Sequence, residues 1–186
     1  MKNNLILETA HLLLKNNIES NDVIIDATMG NGNDTIFLAE HAKFVYAFDI
    51  QKQAIIETQK KLDQHQIKNV QLILDSHENF NKYITKFKGV VFNLGYLPKG
   101  DKSITTKKEV TIRTIKLMLP LLDAKGFILI VVYPGHPEGN FESIALTSYF
   151  SELNPLLYKL LKVDLPFQDN QPPYIYMIIK IKDESN

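Results

Sequence analysis

Asp26-Ala27-Thr28-Met29-Gly30-Asn31-Gly32-Asn33-Asp34-Thr35 follows the apolar run Val23-Ile24-Ile25 and leads into Ile36-Phe37-Leu38-Ala39. That order predicts a strand, a glycine turn and a helix. A second strand-like run, Phe44-Val45-Tyr46-Ala47-Phe48, ends at Asp49, 19 positions after Gly30. The glycines at 30 and 32 let the backbone approach a ligand and reach positive φ. The helix that follows presents unpaired N–H groups at its start.

Working outward, further strand-like runs lie at 70–74, 90–93 and 127–133. Helical spacing covers 4–16, 34–41, 51–64, 77–86, 105–122 and 139–150. Ser103, Thr105 or Thr106 could cap the helix at 105–122, and Gly126 is read as the break before the next strand. The strand runs are almost wholly apolar, as expected when helices cover both faces of a parallel sheet. Runs at 156–165 and 174–182, joined by a polar segment with prolines, predict an antiparallel pair closing the sheet. The expected fold is therefore α/β: one Rossmann-like domain over residues 1–186, with a mostly parallel seven-stranded sheet and helices on both faces. Alternating β/α units ending in such a pair are the outline of class I methyltransferases.

Composition narrows the class. The 186 residues carry 45% hydrophobic and 23% charged side chains, ordinary for a soluble domain. Cysteine is absent, which excludes disulfides, thiolate zinc sites and cysteine nucleophiles, and fits a cytoplasmic location. The N-terminus reads as an amphipathic helix rather than a signal peptide, and no run approaches the roughly 20 apolar residues of a membrane span. No His-x-x-x-His pair or Gly-x-Ser-x-Gly elbow occurs, so neither metal binding nor a serine triad is expected. Net charge is zero, so a nucleic-acid partner would need a local patch. Lys99, Lys102, Lys107, Lys108 and Arg113 offer one, although on charge count alone a solvated loop and helix face is the better reading.

The site residues fall at strand ends, where open α/β sheets bind ligands. A dinucleotide fingerprint would have a third glycine at position 35; this chain has Thr35. Asp26-x-Thr28-x-Gly30-x-Gly32 instead resembles the methyltransferase motif acidic-x-Gly-x-Gly-x-Gly, with Thr28 at the first glycine. Asp26 is placed to attract the ammonium of a methionine moiety, directly or through water. Asp49 can accept both ribose hydroxyls, a role that NAD sites share. Gln51 adds an adenosine contact. Asp75-Ser76-His77, after the third strand, occupies the place where adenine is usually held, and Ser76 alternatively caps the next helix. The expected cofactor is S-adenosylmethionine, with S-adenosylhomocysteine as product.

Asn93-Leu94-Gly95-Tyr96-Leu97-Pro98 resembles the Asn/Asp-Pro-Pro-Tyr/Phe box of methyltransferases that alkylate nitrogen, with Leu94-Gly95 in place of two prolines. In that box the asparagine carbonyl accepts a hydrogen from the amine and turns its lone pair toward the methyl group. The aromatic ring packs around the nitrogen or stacks on a base. Asp101 and His136 are the nearest aids to deprotonating the amine, and bulk water is a third route. His11, His41 and His65 are assigned no role.

Together with Tyr133-Pro134-Gly135-His136 and the block Asn93–Lys102, these segments resemble the YtqB-like (MnmM) family, earlier described as rRNA methylases, over nearly the whole chain. The resemblance implies a tRNA 5-aminomethyl-2-thiouridine methyltransferase that acts on the anticodon stem-loop at the wobble uridine. It implies Asn31, Asn33, Asp49, Gln51, Ser76 and His77 as cofactor contacts. Tyr96, Tyr133 and the basic residues from Lys99 to Arg113 are candidates for the RNA surface, since RNA loops are read by stacking splayed bases on aromatics. Ribosomal RNA, a protein or a small molecule as acceptor, and a non-catalytic RNA-binding module, remain open at this level. An exposed terminal strand could also pair two subunits.

Overall fold

The computed structural model describes residues 4–94 and 108–182, with Lys108 described through its backbone alone. Tyr96, Lys99, Asp101, Lys102, Lys107 and the expected caps at Ser103, Thr105 and Thr106 lie outside the described residues.

Seven strands form one sheet: β1 Val23–Asp26, β2 Phe44–Asp49, β3 Val70–Leu74, β4 Phe87–Asn93, β5 Leu122–Val132, β6 Tyr158–Val163 and β7 Tyr174–Lys180. Their order is β3-β2-β1-β4-β5-β7-β6. The first five are mutually parallel; β7 runs antiparallel to both β5 and β6. The helices are α1 Leu5–Asn17, α2 Asn33–His41, α3 Lys52–Gln64, α4 Lys108–Met118 and α5 Pro137–Ser151. The expected α/β architecture with its antiparallel terminal pair is the one observed.

Both faces of the sheet are covered, and the side-chain period of a strand accounts for it. Along β5, Ile128, Ile130 and Val132 join one cluster with Ile115, Met118, Leu146 and Phe150 from α4 and α5. The intervening Phe127, Leu129 and Val131 join the other, with Ile6, Ala10 and Leu14 of α1 and Leu38 of α2. Successive residues thus bury on opposite sides, so the strand must be apolar throughout.

Three boundaries differ from expectation. The helix read over 77–86 is a short 3-10 turn, His77–Lys82, because Phe80 and Phe87 pack edge to face and the chain re-enters the sheet at Phe87. The helix read over 105–122 ends at Met118, followed by a 3-10 turn through Pro120. Gly126 lies within β5, which begins at Leu122. A Cβ there would meet the carbonyls of Asp123 and Lys88 at 2.7 Å, so the glycine serves a close backbone approach rather than a helix stop.

Between α4 and α5, Thr111 donates to Glu142 at 3.0 Å. Burial lifts the Glu142 carboxyl to about 7, and the Thr111 hydrogen bond opposes only part of that rise. A raised acid favours folding while it is protonated, so its contribution fades as pH climbs from near 4.5 toward 7. Glu142→Gln is expected to raise the thermal midpoint relative to the parent by a margin that grows over this interval and is flat above it. Paired melts from pH 4.5 to 8.5 check this, because every other titrating group is common to both proteins; a pH-independent difference would contradict it.

Candidate active site

The sheet order reverses between β1 and β4, and the carboxyl ends of these strands flank a cleft of about 1170 Å3. That exceeds the usual space for one drug-sized ligand and leaves room for two.

One wall is the glycine turn. Gly30 and Gly32 have φ of 52° and 76°, left-handed values that favour glycine. A Cβ on Gly32 would also meet Thr58 of α3 at 2.6 Å. Asp49, at the end of β2, ties the turn down: Oδ2 accepts from Gly30 N at 3.0 Å and Oδ1 from Gln51 N at 2.8 Å. Burial raises the pKa of this carboxyl, opposed by the backbone donors of Gln51, Gly30 and Ile50.

Asp26 requires a correction. It is 1% exposed and does not line the cleft. Its oxygens accept from Thr28 N at 3.2 Å and Thr35 Oγ1 at 2.6 Å, so the side chain shapes the turn from behind and is not open to a ligand ammonium. Burial first, and the charge of Asp34 second, lift it to about 7. Gly32 likewise stands behind the wall as the residue preceding α2. Thr28, Gly30, Asn31, Asn33, Asp49, Gln51, Ser76, His77 and Asn93 do border the cleft, as do Tyr133 and His136. Asn33 also receives Lys61 Nζ.

At the β3 end, Ser76 Oγ accepts from Glu78 N at 3.3 Å, so the capping role is real and the residue still borders the cleft. Desolvation is the largest single influence on the Asp75 carboxyl and pushes it up, but the hydrogen bonds it accepts from Asn79, Ser76 N and Tyr83, with the charge of Lys82, together hold it below the usual range. His77 is buried and its Nδ1 lies 3.1 Å from Ala27 O. That carbonyl only accepts, so Nδ1 carries the proton and Nε2 is an acceptor. Nε2 has no partner among the described residues, and burial pulls the ring down to about 4, keeping it neutral.

At the β4–β5 end, Asn93 N donates to Thr28 Oγ1 at 2.7 Å, and Asn93 Nδ2 to Asp34 Oδ2 at 2.9 Å. A carboxylate cannot donate, so the amide must turn its NH2 toward Asp34 and keep Oδ1 as an acceptor. Tyr133 hydrogen-bonds the same Asn93 side chain; burial, reinforced by Asp34, pushes its phenol up to about 12. Asp34 Oδ1 also meets His11 Nε2 at 2.7 Å, and the His11 ring stacks on Phe37 at 4.0 Å. Sequence reasoning missed both residues. Asp34 reads as an acid complementing the start of α2, and nothing local links His11 to a residue 23 positions away.

Three further expectations change. His136 Nδ1 accepts from Gly139 N at 3.1 Å, capping α5. This leaves the neutral ring's proton on Nε2, at odds with a role as base. Arg113, read as a phosphate contact, is paired with Glu78. Tyr133 is half-buried with its hydroxyl engaged, so it walls the cleft rather than offering an open stacking face. Among the described residues there is no group of three or more His, Asp or Glu side chains placed to hold a metal. No described helix is long and apolar enough to cross a membrane.

The comparisons agree with this geometry. The family model described as "Putative rRNA methylase" matches residues 45–179. A protein of Streptococcus mutans described as a methyltransferase, solved in complex with SAH, is 42% identical and superimposes with a TM-score of 0.88 over 95% of this chain and 98% of its own. A Clostridium thermocellum protein described as an rRNA-methylase is 38% identical with a TM-score of 0.91, over 95% and 97% of the two chains. The Arabidopsis thaliana protein named tRNA (mnm(5)s(2)U34)-methyltransferase, chloroplastic, is 37% identical over 78% of this chain, which spans 59% of that relative's length. With a switch-point cleft of this form and a family match running from β2 to β7, the chain belongs to this rRNA-methylase family of class I methyltransferase fold.

Proposed function

We propose that this protein transfers a methyl group from S-adenosylmethionine to the primary amine of a 5-aminomethyl-(2-thio)uridine in tRNA, giving the methylaminomethyl derivative. The observation that carries the proposal is the charge of the cleft. Asp34, Asp49 and Asp75 line it, with Glu78 whose charge is met by Arg113, and no lysine or arginine lines it among the described residues. A pyrophosphate would be repelled there, whereas a sulfonium cofactor and an ammonium substrate are both cations. The names of the S. mutans and A. thaliana relatives support the cofactor and the acceptor respectively.

The residues fit the cofactor. Asp49, at the end of β2 and bordering the cleft, is the charged acceptor placed for the ribose hydroxyls, and His77 Nε2 is a buried acceptor awaiting a donor. Asn31, Asn33 and Gln51 border the same end. The cofactor supplies a methyl group already activated on sulfur. The chain's own residues then have to orient the nitrogen and exclude water. Asn93 does the first: its Oδ1, aimed by Asp34, accepts one N–H and turns the lone pair toward the donor. Tyr133 and Leu7 wall that end. The substrate ammonium releases one proton to solvent water before attack, since an alkylamine titrates near about 10, and the freed lone pair then takes the methyl group while the sulfur keeps the electron pair of the broken bond. Tyr96 and the lysines from Lys99 to Lys108 remain the proposed RNA surface, and the anticodon stem-loop the proposed partner.

Asp49→Ala is expected to weaken S-adenosylhomocysteine binding by about 1.5–3 kcal/mol, read by calorimetry, through loss of a charged acceptor; an unaltered dissociation constant would contradict the placement. Asn93→Ala is expected to leave that constant within about twofold while turnover falls by about 100-fold, a typical cost of losing one aligned polar group. The function itself is tested by incubating the protein and S-adenosylmethionine with tRNA bearing 5-aminomethyl-2-thiouridine, followed by nucleoside mass spectrometry. Conversion to the methylaminomethyl nucleoside is the expected result; methylation of ribosomal RNA instead, or none, would overturn it.

A further inference from the structure

We propose that Asp34, anchored by His11, forms a counter-ion subsite that binds the substrate's alkylammonium group and selects it against neutral or anionic substituents at the same position. The inference rests on the function proposed above and deepens it.

Asp34 lies in the first turn of α2 and borders the cleft, its side chain 17% exposed. Its two oxygens are gripped from opposite sides, by His11 of α1 at 2.7 Å and by Asn93 of β4 at 2.9 Å. Three separate elements therefore converge to hold one carboxylate still. A residue needed only to complement a helix start would not require this, because that attraction is non-directional and acts at the surface.

The surroundings are short of positive charge. Asp34 helps raise Asp26 from behind and Tyr133 from the side, so its field is felt in both directions. Among the described residues, His11 is the one side chain ion-paired with it that is able to become cationic. A carboxylate left in this state, at the mouth of a cleft, is an attractive site for a small cation.

Position separates it from the cofactor's ribose end. In the sheet order, Asp49 ends β2, whereas Asn93 ends β4, two strands across. At about 4.8 Å per strand the two acids sit over different parts of the cleft. Asp34 shares Asn93 with Tyr133, at the end where the amine must lie. Two fixed acceptors, the Asp34 carboxylate and Asn93 Oδ1, then take two of the nitrogen's N–H directions. The remaining direction is left for the methyl donor. A hydroxyl would satisfy the carboxylate without charge, and a carboxylate substituent would be repelled by it.

The test compares two synthetic anticodon stem-loops, identical except that one carries 5-aminomethyl-2-thiouridine and the other 2-thiouridine. Binding is measured to the protein saturated with S-adenosylhomocysteine. The parent is expected to prefer the aminomethyl form by about tenfold. Asp34→Asn is expected to abolish the preference while holding affinity for the plain stem-loop and for S-adenosylhomocysteine within about twofold. His11→Gln is expected to shrink the preference, as the carboxylate loses one anchor. Equal binding of the two stem-loops by the parent overturns the subsite, whatever the mutants do. A preference that survives Asp34→Asn, or weakened S-adenosylhomocysteine binding in that variant, also overturns it, the latter by assigning Asp34 to the cofactor. Failure of the proposed function reads differently: the aminomethyl preference is present, yet no methyl group is transferred.

Discussion

The site depends on one carboxylate acting as a clasp between two strand ends. Asp49 takes the amide of Gly30 on one oxygen and that of Gln51 on the other. The first bond pins the turn that leaves β1; the second fixes the entry into α3. Without it, two backbone N–H groups at the cleft floor would need other partners, and a half-buried acid would stand unpaired. The clasp explains why the turn needs its glycines. Pulling the Gly30 amide toward β2 requires left-handed backbone at 30 and 32, and α3 then comes so close that Thr58 leaves no space for a Cβ on Gly32. The hydroxyl of Thr58 completes the arrangement by donating to Gly30 O at 3.2 Å.

A second network does the same work at the switch point. Thr28 receives the backbone amide of Asn93 and gives its own amide to Asp26. Asp26 is further held by Thr35, so β1, the turn, α2 and β4 are linked through a single buried acid. An ionised carboxylate in that position would be costly, and its pKa near 7 means that it passes between charged and neutral states close to physiological pH. The hydrogen bonds from Thr28 and Thr35 serve either state, since a protonated carboxyl retains acceptor capacity. The turn is therefore held by geometry that survives the titration, which a bare ion pair would not provide.

The fold was legible because its signals are local. Apolar runs ending in Asp26, Asp49 and Asn93 mark strands buried on both faces, and the glycine turn marks the first crossover. The terminal pair announced itself by two β-rich runs and a proline-containing connection. Boundaries were less legible where tertiary packing decides them: the 77–86 segment has helical spacing, yet Phe80 is fixed against Phe87 and the chain turns back after one short 3-10 element. At the site, the capping role of Ser76 could be read from position, whereas the grip of Asp49 on the Gly30 and Gln51 amides could not. The orientation of Asp26 could not, because nothing in the pattern acidic-x-Thr-x-Gly distinguishes an acid facing the ligand from one turned under the loop. His11 and Asp34 were hidden for a different reason. Their partnership exists only because α1 packs back over the sheet, burying Ile6, Ala10 and Leu14 beside β5 and β7.

That packing gives α1 a role beyond covering the sheet. The helix buries one stripe in the core and turns the neighbouring stripe, Leu7 and His11, to the rim of the cleft. The spacing of four residues between them is one turn, so both reach the same rim from a single rigid element. The stack of His11 on Phe37 locks the ring against α2, and the hydrogen bond to Asp34 then has one geometry rather than several. Because Asp34 in turn fixes the amide of Asn93, a helix that precedes the first strand decides which atom of a residue at the end of the fourth faces the cleft. Precision at this end of the cleft is thus built from hydrophobic burial at one remove: the core holds α1, α1 holds the imidazole, and the imidazole and the amide together hold the acid.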